Sequence, residues 1–291
     1  MTALIGEITR RLPDRWLTTT LGPGALWVLT AALAVHFGQT NALGVLGLAE
    51  TVRDTGGMLA DRPAEALVYG ALAVAASVGA SAAAHAAGAW VRRLWSGRWG
   101  FPFERLATRL TSARRERRSA RLAGAGTRLP AAFLPSTATW IGDRLQLTDA
   151  RITAQYGLAL ALVWPRIWQL VDVETRALVQ QARARYDAAS TLVGWSATYL
   201  VLAVVWWPAL VPGALTLLAG WRRGRVAVAL FCDTVESTVD LQHRALATAL
   251  GHPLGDGKPL PPRIADAIND QLHKGATPQP HGDSGPTDRT R

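Results

Sequence analysis

The sequence predicts an all-α, polytopic membrane protein: two transmembrane helical hairpins, about four membrane helices in all, joined by a cytosolic helical domain. Three observations predict it. First, residue types segregate. The chain of 291 residues carries a formal charge of +10 yet a mean hydropathy of +0.12, because arginines gather in some stretches and apolar residues in others. Second, many of the 12 tryptophans flank the apolar runs (Trp16, Trp90, Trp95, Trp206, Trp207, Trp221), where an amphipathic ring prefers a membrane interface. The alternative is an ordinary core position. Third, the basic runs abut the apolar ones, which favours anionic phospholipid over nucleic acid as the partner of that charge. The one cysteine, Cys232, excludes an internal disulfide and any multi-cysteine metal site.

In chain order, residues 1–16 form a cytosolic leader with Arg10, Arg11 and Arg15. Leu17 to Phe37 is free of charged side chains and about 30 Å long as a helix. Arg10-Arg11 and Ala32-Leu33-Ala34 also resemble a twin-arginine start and a cleavage site. Pro13-Asp14 and the later apolar segments speak against that reading. Residues 38–63 make an external loop of slight negative charge. Ala64 to Trp90 completes the first hairpin, 17–90. Its small residues Ala71, Ala75, Gly79, Ala83 and Ala87 recur every fourth position and predict a tight seam with the first segment or with a neighbouring subunit.

The juxtamembrane segment 91–128 is strongly basic, with Arg92, Arg93, Arg114, Arg115, Arg117 and Arg118 its densest pairs. The positive-inside rule places it, and both termini, in the cytoplasm of a bacterial cell membrane. Phe103, Leu106 and Leu110 give it an amphipathic spacing. It either lies on an anionic leaflet or is a solvated basic helix that only enforces topology.

Residues 129–187 lack an uninterrupted apolar length and read as a cytosolic helical domain. Pro135-Ser136 begins a helix that Gly157 ends. Leu158 to Val163 is either strand or buried helix, broken by Trp164-Pro165. Asp172 caps a long helix with a stripe at Leu178, Ala182 and Tyr186, unbroken from cytosol into membrane.

The second hairpin, 188–225, contains Leu192 to Trp221, interrupted at Trp206-Trp207-Pro208 and Val211-Pro212-Gly213. Its limbs are short for a hydrocarbon core of about 30 Å. Either the second limb continues through Arg222, Arg223 and Arg225 with the arginines snorkelling, or the hairpin is re-entrant. Residues 226–250 predict a cytosolic amphipathic helix with Val228, Phe231, Val235, Val239, Leu246 and Leu250 on one side. Residues 251–291 hold a linker, a short helix carrying Ile264, Ile268 and Leu272, and a polar tail expected to be disordered.

Chemistry is sparse. No HExxH occurs. Gly194-Trp195-Ser196-Ala197-Thr198 lacks the closing glycine of a serine-hydrolase elbow, and Gly251 to Lys258 has Pro259 where a phosphate loop needs Ser or Thr. One constellation carries weight: Asp233, Glu236, Asp240 and His243 share a helix face and have metal-ligand chemistry. The plainer reading is an acidic face paired with arginines such as Arg114 to Arg121. His36 and His85 lie within apolar segments, as pore groups or as interhelical hydrogen-bonding residues. Neither a cofactor nor a catalytic set is expected.

Ile141-Gly142-Asp143-Arg144-Leu145, Tyr156-Gly157-Leu158 and Val163-Trp164-Pro165-Arg166-Ile167-Trp168 resemble words shared by a loose group of bacterial membrane proteins. Their layout has two membrane helices, a cytosolic segment, two more helices and an amphipathic C-terminal helix. The group lends no activity. High alanine, arginine and tryptophan usage resembles that of actinobacterial chains.

The expected function is therefore non-enzymatic. The first reading is a homo-oligomeric membrane protein whose cytosolic helices gate a pore or gather a cytosolic protein partner at the inner leaflet. The others are an ion or small-solute channel, a membrane-shaping hairpin protein and, last, a membrane enzyme, which would require Asp233, Glu236, Asp240 and His243 to converge with groups of the central domain.

Overall fold

A computed structural model describes residues 22–39, 42, 44, 62–124, 134–255 and 259–273. The leader, the start of the first apolar segment, most of the expected external loop and the C-terminal tail lie outside the described residues. The fold is all-α, with no strand among the described residues. In order the helices are α1 (Gly22–Phe37), α2 (Pro63–Trp95), α3 (Glu104–Gly124), α4 (Trp140–Tyr156), α5 (Leu160–Leu170), α6 (Val173–Ala203), α7 (Leu210–Ala249) and α8 (Pro262–Leu272). A 3-10 turn at Trp207–Ala209 joins α6 to α7.

Local chemistry sets several boundaries. The Thr139 hydroxyl accepts from the Gly142 amide and caps α4, a few residues later than Pro135-Ser136 predicts. Gly157, at φ 70°, ends that helix in the left-handed region that glycine tolerates. The Asp172 carboxylate accepts from the Thr175 amide and caps α6. That hydrogen bond, with the one from the Thr175 hydroxyl, holds the Asp172 pKa below its ordinary value. The apolar run at Leu158 to Val163 is settled as helix, and Pro165 lies inside α5 rather than ending it. Arg166 donates to the Leu162 carbonyl in that turn at 2.9 Å.

α6 and α7, of 31 and 40 residues, are about 46 and 60 Å long. They pair antiparallel, Gly220 beside Ala189 and Val193, Gly213 beside Tyr199 and Leu200. No break occurs at Arg222, Arg223 or Arg225: α7 runs through them into the predicted amphipathic helix.

At one end α4, α5 and α8 close over the distal half of α7. Ile152, Leu158, Val163, Ile167, Val239, Leu246 and Ile268 form a dry core there. The predicted stripe on α7 is largely that core. On α6 the predicted stripe holds at Ala182 and Tyr186 and fails at Leu178. Val179, Ala182 and Tyr186 are buried while Leu178 is 58% exposed, because α6 turns its Val179 side toward its neighbours.

At the other end α1, α2, the last turns of α6 and the first of α7 leave large apolar side chains uncovered. Val35, Leu72, Val201, Leu215 and Leu218 are all exposed. Among the described residues only α2, of 33 residues, is long and apolar enough as a whole helix to cross a membrane, and 17% of its apolar stretch is buried. α1 is apolar but has 16 described residues. α6 and α7 each join an apolar half to a polar one.

Candidate functional site

Where the two ends meet, four helices bring aromatic and cationic side chains to one level. Arg92 of α2 donates to the Ser190 hydroxyl of α6 at 2.8 Å and lies 3.5 Å from the Asp187 carboxylate. Arg183 reaches the same carboxylate at 3.2 Å. The Trp95 ring rests on Gly224 of α7, where a side chain would collide with it, and on Tyr186, with centroids 5.7 Å apart. Arg93 lies over Trp90 at 5.2 Å. Arg225 sits between the rings of Trp140 and Trp221, at 4.5 and 5.2 Å. The Thr139 hydroxyl donates to the Trp95 carbonyl, which fastens α4 to the end of α2. Trp, Tyr and Arg at one level are the side chains that an apolar–aqueous boundary selects.

The sequence-predicted basic residues divide into two groups. Arg92, Arg93 and Arg225 are engaged as above. Arg114 donates to the Thr137 carbonyl and to Asp143, both at 2.6 Å, and ties α3 to the start of α4. Arg115, Arg117 and Arg118 on α3, and Arg222 and Arg223 on α7, are exposed. The predicted apolar spacing on α3 is left uncovered too: Phe103, Leu106 and Leu110 are exposed, as is the preceding Phe101.

Asp233, Glu236, Asp240 and His243 do face one way, but toward side chains of α4, which runs in the same sense as this half of α7. Arg144 pairs with Asp233 and, at 3.0 Å, with Glu236. Arg151 reaches Glu236 at 3.2 Å, and the Thr148 hydroxyl donates to it at 2.8 Å. The Tyr156 hydroxyl donates to Asp240 at 2.8 Å, and its ring packs on His243. The metal reading is therefore corrected: among the described residues no three potential ligands converge, and arginine and tyrosine occupy the acids. The pairing partners are Arg144 and Arg151 rather than Arg114 to Arg121, because α4 and not α3 lies on this face. Burial opposes the Arg144 charge, yet nearby Cys232, Glu236 and Asp233 raise its pKa above the ordinary value. Burial and the bond to Asp240 push Tyr156 up to about 12. Burial likewise pushes the Cys232 thiol up.

Two further groups of predicted residues face away from the helices of this chain. Ala71, Ala75, Gly79 and Ala83 are exposed and Ala87 half-buried. The seam within the chain uses the next face of α2, Ser77, Ala80, Ser81, Ala84 and Gly88. There a Cβ on Gly194 would stand 2.0 Å from the Ala84 carbonyl oxygen, and one on Gly88 3.0 Å from Thr191. His36 and His85 are exposed on outward faces, so neither points into a path between helices of this chain. The His85 ring lies against the Ser81 carbonyl, at 2.8 Å.

Sequence reading missed Arg144 and Arg151 as partners, and the Arg92–Asp187 contact. A signal for the seam existed in Gly194, Gly213 and Gly220, glycines in otherwise good helical runs, where close helix approach is the usual reason. No protein-family model matches the chain, and neither a curated protein nor a solved structure is similar to it.

Proposed function

We propose that the chain is a non-enzymatic integral membrane protein, oligomeric in the bilayer, that couples a cytosolic helical domain to its membrane helices and gathers partners or gates a path at the inner leaflet. The observation that carries this reading is the uncovered apolar end bounded by the Trp–Arg belt. Exposed Leu and Val around several helices cost little in lipid and much in water. In this reading α1, α2, the second half of α6 and the start of α7 span the membrane. The belt lies at the cytoplasmic surface, and α3 rests its Phe103, Leu106 and Leu110 face on the leaflet.

Supporting the coupling role, α6 and α7 run without a break from the packed core into the apolar end. A displacement of α4, α5 or α8 would be transmitted along them as along rigid rods. Supporting a scaffold over an enzyme, the cluster nearest to a catalytic set, around Glu236, is consumed in internal pairing. The exposed stripe from Ala71 to Ala83 is where a second copy would pack closely.

Three reporters in a Cys232→Ser background test the topology: Arg115→Cys, Ala184→Cys and Val204→Cys. A membrane-impermeant maleimide should label the first two only from the cytoplasmic side and the third only from outside. Labelling of positions 115 and 184 from opposite sides would refute the arrangement. Labelling of position 204 from the cytoplasm would make the hairpin re-entrant. Release of the chain by alkaline carbonate would refute membrane integration itself.

A further inference from the structure

Beside the belt, α6 and α7 enclose an open groove of about 560 Å³, within the roughly 300–1,000 Å³ typical of small-molecule sites. Ala188 and Leu192 of α6 and Val226 and Leu230 of α7 give it an apolar lining. Arg185, Arg222 and Arg223 line it as well, and no carboxylate does. Neighbouring arginines are committed elsewhere, Arg183 to Asp187 and Arg225 to two indole rings. Arg185, Arg222 and Arg223 make no ion pair or hydrogen bond with another described residue.

Three guanidiniums with no counter-charge among the described residues, beside an apolar trough, ask for a ligand with two parts. A free inorganic anion would meet the charge and leave the trough wet. A neutral lipid would fill the trough and leave the cations unpaired. We propose that this groove seats one anionic phospholipid. Its phosphate is held by Arg185, Arg222 and Arg223, whose forked donors match phosphate oxygens, and its acyl chain lies on Leu192 and Val226. The proposal rests on the membrane reading above, because lipid reaches the groove only when the belt sits at the leaflet surface.

Native mass spectrometry and thermal unfolding of the full chain in detergent test it, with dioleoyl phosphatidylglycerol as the probe. Dioleoyl phosphatidylcholine, dihexanoyl phosphatidylglycerol and inorganic phosphate are the controls. One long-chain phosphatidylglycerol should bind per chain and raise the melting temperature, and the three controls should not. Exchanging Arg185, Arg222 and Arg223 together for Gln should weaken binding roughly a hundredfold, at about 1 kcal/mol for each basic side chain. Ala188→Trp, which fills the groove and keeps every arginine, should also abolish the one-to-one complex. Exchanging Arg117, Arg118 and Arg121 for Gln should leave it intact.

Equal binding of phosphatidylcholine would overturn the proposal. So would full protection by phosphate or by the short-chain lipid, retention of the lipid by both groove variants, or a lipid-free dimer that buries the groove. Should any of these occur while the chain resists carbonate extraction, the groove assignment fails and the membrane reading stands. Should the chain be released by carbonate, the membrane reading fails first.

Discussion

The two ends of this molecule share α6 and α7 and hold them by different means. At the end where α4, α5 and α8 pack, large branched side chains interlock: Ile167 and Ile268 are wholly buried against Leu158, Val239 and Leu246. At the other end the contacts are small. Gly194 meets the Ala84 carbonyl, Gly24 meets Ser77, and Gly220 meets Ala189, while the large apolar side chains point outward. Removing apolar surface from water drives the first arrangement. If the second end lies in lipid, as proposed, that drive is missing between its helices, and close backbone approach with dispersion contacts remains. Side-chain hydroxyls at the second end donate within their own helix, Ser77 to the Ala73 carbonyl and Ser196 to the Val193 carbonyl, each at 2.7 Å. These two buried hydroxyls are satisfied without a partner helix.

The sharpest way to break this contrast is to truncate matched apolar side chains at the two ends. Ile167→Ala should lower the unfolding free energy in detergent by about 2–5 kcal/mol, since it opens a void in a dry core. Leu215→Ala, at an outward position of α7, should change it by no more than about 0.5 kcal/mol. The many tryptophans supply the fluorescence signal. Equal losses would mean that the outward apolar residues are packed against something within the chain.

Next is the acidic cluster. Glu236→Ala leaves Arg144, whose side chain is 13% exposed, with one remaining carboxylate, and should cost about 2–3 kcal/mol. Chelators should not shift the melting temperature of the wild type. A chelator-sensitive melt would restore the metal reading.

Glycine substitutions on α2 and α6 sharpen the second half of the contrast. Gly194→Ala places a methyl group against backbone and should destabilise by about 1–3 kcal/mol. Gly79→Ala meets nothing within 4 Å and should be neutral or stabilise by up to about 1 kcal/mol in detergent monomers. Gly79→Ala that weakens an oligomer without weakening the monomer would place a second copy on that face.

A further effect is a pH dependence that arises at the packed end. Tyr156 has its pKa raised from the ordinary 10 to about 12. A raised value stabilises the fold fully below pH 10, and the contribution disappears as pH rises through 12. Tyr156→Phe should therefore flatten the stability profile between those values. An unchanged profile in the variant would remove Tyr156 as its source.

Much of the packed end is legible in the sequence because its signals are local or strongly periodic. Gly157 as a helix stop, Asp172 as a cap, and the α7 stripe through Val228, Val235, Val239 and Leu246 each follow from one helix considered alone. The α8 residues Ile268 and Leu272 do as well. Three other features escaped. Pro165 breaks no helix, because α5 is held by its neighbours through Val163 and Ile167 and packing overrides the local penalty. The partners of Glu236 escaped because charge complementarity names a residue type and not a helix. The α2 seam escaped because Ala, Gly and Ser populate nearly every face of that helix between Ala71 and Ala89.

From sequence alone one could determine that the chain is helical, where its apolar and arginine-rich stretches lie, and that α6 runs unbroken between them. These are consequences of composition and spacing along one strand of chain. Only the tertiary structure decided which face of α2 meets α6, that α4 rather than α3 neutralises the acids of α7, and that Arg185, Arg222 and Arg223 gather around one groove. Such choices depend on relative helix rotation and offset, where a change of one residue turns a side chain by 100°. No pattern within a single helix contains that information.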